Sequence, residues 1–215
     1  VNAPALASDV LRDLGPHLQL GEMLGSMAVQ LAAGRIHELH VEFAGDFPRD
    51  PDPVATAVTK GFLEPILTEP PNYVNATAIA RDRDIRVSKT LASRSRGYTT
   101  HVQVTVRSDE GEASVAGSIL EGKPRIVEID GFPIEIAPES AMLVCTNVDR
   151  PGAIGKVGTI LGDAGVNIIG MQLSRVGQDG LAMFVLTLDT LPPDDVTDLL
   201  RRQSDVIRSL RAVRL

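Results

Sequence analysis

The sequence contains no tryptophan, one cysteine and four histidines, and aromatic residues make up only 3% of its 215 residues. The single cysteine, Cys145, excludes a disulfide within the chain and a cysteine-based metal cluster. Aromatic side chains, on which single-stranded nucleic acids stack, are scarce. Acidic residues outnumber basic ones by 28 to 21, so the chain does not supply the strongly basic surface that a duplex requires. We therefore predict no nucleic-acid partner.

Long apolar runs are also lacking. No run approaches the roughly 20 residues of a membrane-spanning helix. Residues 1–4 carry no basic region leading into an apolar stretch, as a secretory signal peptide would. The hydrophobic content of 43% nevertheless favours a packed core. We expect a cytoplasmic protein without a membrane partner.

Signatures of catalysis are missing as well. The chain has no G-x-G-x-x-G sequence, so we expect no dinucleotide cofactor on it. The histidines are scattered, and we expect surface or half-buried residues rather than a metal site: His17, His37, His40 and His101. Cys145 falls in an apolar strand pattern, which favours a buried, inert thiol. We predict no catalytic residue and no enzymatic activity on this chain.

The first half, residues 1–138, mixes helical and strand patterns. Apolar residues at helical spacing predict a helix through residues 20–31, and Asp52-Pro53 predicts the start of another, with the Asp52 carboxylate as its cap. Alternation then predicts strands, and Asp130-Gly131 is a strong hairpin signal between two of them. The predicted strands are 36–43, 102–106, 115–120, 125–129 and 132–136. This half is predicted to be an antiparallel α/β domain.

The second half, residues 139–215, has a clearer pattern. A polar stretch with a proline, residues 137–140, separates it from the first half. Strand patterns at 142–148, 167–175, 181–188 and 206–215 alternate with helical patterns at 154–164 and 194–203, and residues 178–180 predict a turn. The order βαββαβ is that of a ferredoxin-like domain. The whole chain is therefore predicted to be α+β.

A candidate ligand site lies where the first strand of this half turns into a helix. Gly152 lets the backbone approach a ligand, and the amides of the first helical turn suit a carboxylate. Asp149 can accept from an ammonium group, and Asn167 can both donate and accept. These groups match the two charged ends of a free α-amino acid. The alternative is that Asp149 and Asn167 only satisfy turn backbone.

Residues 149–168, which begin Asp-Arg-Pro-Gly and end Gly-Val-Asn-Ile, closely resemble the ACT domain that ends 3-phosphoglycerate dehydrogenases. Residues 124–131 and 73–76 resemble the intervening, or allosteric substrate-binding, domain of the long form of that enzyme. Residues 1–4 resemble the point where the chain leaves the nucleotide-binding core, and a start at Val1 suggests part of a longer protein. The resemblance covers nearly the whole chain.

The resemblance implies a regulatory region that binds L-serine, or a similar small amino acid, between two ACT domains. These domains pair side by side across a two-fold axis, in a homodimer or tetramer. The implied ligand contacts are Asn147, Asp149 and Asn167, with backbone near Pro151 and Gly152. Asn147 departs from the His or Tyr that members of the family tend to carry there, but it can still form hydrogen bonds.

The resemblance also implies that the intervening domain binds an anionic metabolite. Arg125 matches one basic position of such a site, and Lys60 is a candidate by location and charge. Two positions that are basic in some members are Phe132 and Ala137 here. The parent enzyme oxidises 3-phosphoglycerate with NAD at the first step of serine synthesis, so NAD is implied for the parent and not for this chain.

Two other functions stay open. One is a free-standing amino-acid sensor, or an ACT-bearing regulatory subunit of another amino-acid enzyme. The other is a structural oligomerisation module whose ligand site has decayed, an alternative that the unusual Asn147 supports.

Overall fold

The computed structural model describes residues 8–47, 50–92, 97–176 and 180–215. It forms two compact units, residues 1–130 and 131–215, and the predicted α+β class is confirmed. The boundary between residues 138 and 139 stays a prediction. Within the described residues, no helix has both the length and the apolar character needed to cross a membrane.

The first unit places helices against a sheet ordered β2-β1-β3-β4-β5. The predicted antiparallel strands are present, but β2, which the sequence did not predict, lies parallel to β1. The helices are α1 (Ser8–Leu31), α2 (Asp52–Leu63) and α3 (Ala76–Asp82), with a 3-10 turn at Glu64–Ile66. The strands are β1 (Ile36–Gly45), β2 (Arg86–Ala92), β3 (Thr100–Ser108), β4 (Gly111–Leu120) and β5 (Lys123–Ile129).

The predicted cap of α2 is wrong. The helix begins at Asp52, preceded by Pro51 at the N-cap position, and the Asp52 N–H donates to Asp50 Oδ1 at 3.0 Å. The Asp52 carboxylate instead forms an ion pair with Lys89 on β2. This pair lowers the pKa of Asp52, chiefly through the hydrogen bond from Lys89. The Asp52 carboxylate thus links α2 to the edge strand β2 and does not cap its own helix.

A buried carboxylate ties the edge of this sheet together. Glu38 on β1 accepts from Arg86 on β2 at 2.9 Å and from Arg107 on β3 at 3.2 Å. The hydrogen bond from Arg86 is the largest effect on the pKa of Glu38, which is lowered despite the opposing effect of burial. The carboxylate therefore stays ionised and forms ion pairs with both arginines, of which Arg107 also pairs with Glu112 at 2.9 Å.

The helices α1 and α2 approach each other more closely than any side chain would allow. A Cβ at Gly25 of α1 would lie 2.0 Å from the carbonyl oxygen of Val58, and one at Gly61 of α2 would lie 2.0 Å from that of Glu22. Gly117 on β4 is similarly restricted, since its Cβ would lie 2.6 Å from Leu20. Glycine at these three positions sets how closely the first unit packs.

The second unit contains the predicted ferredoxin-like βαββαβ domain, whose sheet has the order β10-β7-β9-β8 with all neighbours antiparallel. A preceding strand, β6 (Phe132–Ile136), follows a turn in which Asp130 and Gly131 both have positive φ, as the hairpin signal predicted. Part of the turn predicted at 178–180 falls outside the described residues. The elements are β7 (Ala141–Val148), α4 (Ala153–Asp163), β8 (Ile168–Arg175), β9 (Leu181–Leu188), α5 (Asp194–Arg201) and β10 (Ile207–Arg214).

The core of this domain lies between the sheet and its two helices. Leu143 and Cys145 of β7 and Phe184 of β9 pack with Val157 of α4 and Leu200 of α5. The predicted burial of Cys145 is confirmed, and burial raises the pKa of its thiol to about 12.

Two of the four histidines are more buried than predicted, and two are exposed or half-buried as predicted. His17 and His101 are buried, whereas His37 is exposed and His40 is half-buried. His40 bonds to the hydroxyls of Ser88 and Thr90 across the parallel β1–β2 pair. Among the described residues, no group of three or more His, Cys, Asp or Glu side chains is arranged to hold a metal ion.

The α1–α2 contact yields a stability prediction. Gly25→Ala places a methyl group against the Val58 carbonyl, so the helices must separate, and we expect a loss of about 2–3 kcal/mol in the free energy of unfolding. Gly15→Ala in the same helix is the matched control, because its Cβ meets nothing within 4 Å. Urea denaturation measures both. Equal stability of the two variants would contradict the close approach of the helices.

Candidate functional site

A cavity of about 460 Å³ opens where β7 ends and α4 begins. Its volume is within the range of about 300–1,000 Å³ that is typical of small-molecule sites. Four of the five predicted amino-acid contacts line it, and Asn167 does not. The lining residues are Asn147, Asp149, Arg150, Pro151, Gly152, Ala153, Ile154, Gly155, Leu173 and Arg175.

The loop between β7 and α4 shapes one wall of the cavity. Gly152 stands at the N-cap position of α4 with φ of +89°, a conformation that favours glycine, and no side chain caps the helix. A Cβ at Gly152 would meet nothing within 4 Å, so the space above it is open. Amides of the first turn of a helix have no partner within the helix. Ile154 and Gly155 of this turn line the cavity, and backbone N–H groups at such a position suit an anionic group.

Asn147 lies on the face of β7 that carries Leu143 and Cys145, directed into the layer between sheet and helices. It is 2% exposed. Its Nδ2 donates to the carbonyl of Val148 at 2.9 Å, but its Oδ1 has no hydrogen-bond partner among the described residues. A buried acceptor without a partner costs about 1–3 kcal/mol. Asn147 also lines the cavity, so this unsatisfied acceptor belongs to a residue of the cavity wall.

Asp149 is engaged by an arginine that the sequence analysis did not single out. Arg175, the last residue of β8, donates from Nε to Oδ2 at 2.7 Å and from Nη2 to Oδ1 at 3.0 Å. The Asp149 side chain keeps 32% of its surface exposed. Its backbone N–H donates to the carbonyl of Gly180 at 2.8 Å, which fixes the start of the loop.

The next residue, Arg150, also lines the cavity but pairs with a different carboxylate. Arg150 donates to Asp205 at 2.7 Å, and Lys156 of α4 reaches the same carboxylate at 3.2 Å. The bond from Lys156 is the largest of the effects that lower the pKa of Asp205. The segment before β10 therefore anchors both the loop and the first turns of α4.

Asn167 lies apart from the other four predicted contacts. It is exposed, its backbone N–H donates to Asp189 Oδ1 at 3.0 Å, and its carbonyl accepts from the Asp189 N–H at 3.1 Å. These bonds use its backbone and place it at the beginning of β8, whereas the cavity lies at the end of that strand. The structure thus brings together Asn147, Asp149, Pro151 and Gly152 but not Asn167.

The two predicted anion-binding residues of the first unit lie on different elements and bond to different partners. Lys60 on α2 contacts Glu22 at 3.0 Å and Glu64 at 3.4 Å. Burial alone would lower the pKa of Lys60, but these carboxylates outweigh it and the pKa is raised. Arg125 on β5 is half-buried and donates to the carbonyl of Pro124 at 3.0 Å. The charge of Lys60 is thus already neutralised.

Strand β8 is an edge strand with an exposed apolar surface. Met171 pairs with Leu186 and Leu173 pairs with Phe184, so both lie on the sheet face that α4 and α5 cover elsewhere. Leu186 and Phe184 are at most 1% exposed, whereas Met171 and Leu173 are 45% and 41% exposed. Within the described part of the second unit, helices α4 and α5 leave the β8 side of this face uncovered.

Comparisons with known families match both parts of the chain. The model of the D-3-phosphoglycerate dehydrogenase intervening domain matches residues 13–130. The model of the ACT domain matches residues 141–205, which include the cavity-lining loop.

Several curated proteins named D-3-phosphoglycerate dehydrogenase are similar to this chain over most of its length. D-3-phosphoglycerate dehydrogenase of Synechocystis is 41% identical over 197 residues, covering 90% of this chain and 36% of that protein. The protein of that name from Methanocaldococcus jannaschii is 34% identical over 202 residues, covering 94% and 38% respectively. The Bacillus subtilis protein is 29% identical over 209 residues, covering 96% and 40%. The chain thus spans well under half the length of these relatives.

The Asn147 acceptor without a partner leads to a stability prediction. Asn147→Leu removes the unsatisfied Oδ1, and we expect the free energy of unfolding without ligand to rise by about 1 kcal/mol. Asn167→Leu is the matched control, because this exposed side chain should change stability by less than about 0.5 kcal/mol. Thermal and urea unfolding measure both. A destabilised Asn147→Leu variant would contradict the assignment of an unsatisfied acceptor.

Proposed function

Because the chain belongs to the D-3-phosphoglycerate dehydrogenase intervening-domain family and also carries an ACT domain, we propose that it is the regulatory portion of such an enzyme and binds L-serine or a similar small amino acid. The observation that carries the proposal is that Asn147, whose buried Oδ1 lacks a partner among the described residues, lines the cavity together with Asp149. A site of this kind calls for a small ligand with both donors and acceptors.

The wall of the cavity supplies a partner for each end of an amino acid. The α-ammonium group donates to the Asp149 carboxylate, which keeps part of its surface exposed beside its pair with Arg175. The α-carboxylate lies at the first turn of α4, above the open space at Gly152. A side-chain hydroxyl, as in serine, donates to Asn147 Oδ1. The hydroxyl accounts for a preference for serine over alanine or glycine.

A second copy of the chain completes the site under this proposal. Asn167 does not line the cavity of its own chain, and β8 is the last strand of its sheet. Two copies that pair edge to edge along β8, antiparallel across a two-fold axis, bring the start of one strand near the end of the other. Asn167 of one copy then reaches the cavity of its partner. The exposed Met171 and Leu173 become buried in the same contact.

Regulation follows from a ligand that bridges two copies. Such a ligand favours the arrangement in which both halves of its site are close, and it shifts subunits toward that arrangement. In the parent protein this shift would act on the domains that oxidise 3-phosphoglycerate with NAD. Under the proposal NAD is bound by those domains, because the present sequence carries no dinucleotide fingerprint.

The proposed anion site of the intervening domain retains only one of its two candidate residues. Lys60 is held by Glu22 and Glu64, which argues against a role for it in binding an anion. Arg125 is the remaining basic residue of that proposal.

One alternative function has an observation in its favour. The apolar edge of β8 suits an oligomerisation module that binds no amino acid, since pairing would bury Met171 and Leu173 with or without a ligand. Ligand titration separates this alternative from the sensor.

The experiment is calorimetric titration of L-serine into the wild-type chain, Asp149→Ala, Asn167→Ala and an equimolar mixture of the two variants after subunit exchange. We expect wild type to bind and each variant alone to lose binding. The mixture should recover about a quarter of the wild-type sites, since half of its dimers are mixed and one of their two sites is intact.

Glycine, L-alanine and D-serine are the ligand controls. Recovery in the mixture requires that Asp149 and Asn167 come from different copies, so a mixture without binding would refute the shared site. Wild-type chain that gives no heat and no thermal shift with millimolar serine would refute the sensor and leave the oligomerisation module.

A further inference from the structure

The Asp149–Arg175 pair places opposite charges side by side at the cavity. Arg175 lies at the end of β8 and Asp149 follows the end of β7, with the N–O distances of 2.7 and 3.0 Å given above. Both residues line the cavity, and the Arg175 side chain is 62% exposed. The pair is therefore accessible to a ligand rather than sealed inside the fold.

The contact with Asp149 uses only part of the hydrogen-bonding capacity of Arg175. A guanidinium group has five N–H donors, and the pair engages one on Nε and one on Nη2. The remaining donors are geometrically suited to a second carboxylate, which arginine binds through two parallel hydrogen bonds. Arg175 can thus keep Asp149 in place and hold an anionic group at the same time.

The other arginine of the cavity is not placed for this role. Arg150 is directed to Asp205, together with Lys156. Arg175 is consequently the cationic side chain whose partner, Asp149, is itself a proposed ligand contact. A free amino acid carries an ammonium group and a carboxylate on one carbon atom, so its charges complement this adjacent pair.

We infer that Arg175 is a specificity-determining residue of the amino-acid site: it binds the α-carboxylate of the ligand and holds Asp149 toward the α-ammonium group. The inference rests on the proposed function of the cavity. It implies that the site binds zwitterionic amino acids more tightly than amines or amino-acid amides, which have no carboxylate. The first-turn amides of α4 and Arg175 then hold the carboxylate from two sides.

The test compares L-serine with L-serinamide, which keeps the ammonium group and the hydroxyl but lacks the carboxylate. Calorimetric titrations use the full chain as wild type, Arg175→Met and Arg175→Lys. We expect Arg175→Met to weaken serine binding by about 10-fold or more, because it removes a charge-assisted hydrogen bond. Serinamide binding should weaken by a smaller factor, because it loses only the positioning of Asp149, so that the selectivity of the wild type for serine falls.

Arg175→Lys keeps the charge but not the planar fork, and it should fall between wild type and Arg175→Met for serine. Arg202→Met, a change at an exposed arginine that does not line the cavity, is the matched control and should bind both ligands as wild type does.

The outcomes separate the inference from the proposed function. If Arg175→Met weakens serine and serinamide by the same factor, Arg175 only positions Asp149 and the inference is overturned, while the amino-acid site stands. If wild-type chain binds serine and serinamide equally, the carboxylate is not recognised and the inference also fails. If wild type binds neither, the proposed function fails and the inference with it.

Discussion

The candidate site depends on how the segment after β7 is held between two ion pairs. Asp149 is tied to Arg175 on one side, and Arg150 is tied to Asp205 on the other. These two adjacent residues thus pair with different partners, and the positive φ of Gly152 then turns the chain into α4. This arrangement leaves the first helical turn uncapped and directed at the cavity.

The ACT sheet is only partly covered by its helices, and the candidate site of a single chain lacks Asn167, one of the predicted contacts. The helices α4 and α5 cover Leu143, Cys145 and Phe184 but not the β8 side of the same face. An edge strand with exposed apolar side chains favours pairing with another chain. In the proposed function the same edge supplies the missing Asn167. Ligand binding and self-association would therefore share one structural cause.

The fold of the ACT domain and the position of the candidate site were predictable from sequence. The ACT half follows the helical and strand periodicities closely, and Asp149 and Gly152 mark the loop. Three features were not predictable. Arg175 reaches Asp149 only through the register of β8, β9 and β7, which no local pattern encodes. Strand β2 lacks apolar alternation because it is an exposed edge. Lys60 looked available for an anion because its partner Glu22 lies on another helix, brought close by the glycines between them.

The central claim is that a second copy completes the amino-acid site along β8. Sedimentation velocity of wild type, Met171→Glu and the control Leu91→Glu, each with and without L-serine, tests it most directly. Leu91 is exposed on an edge strand of the other unit. We expect wild type and Leu91→Glu to form dimers or larger assemblies that serine stabilises, whereas Met171→Glu dissociates and loses the response to serine. A wild-type chain that stays monomeric while saturated with serine would contradict it.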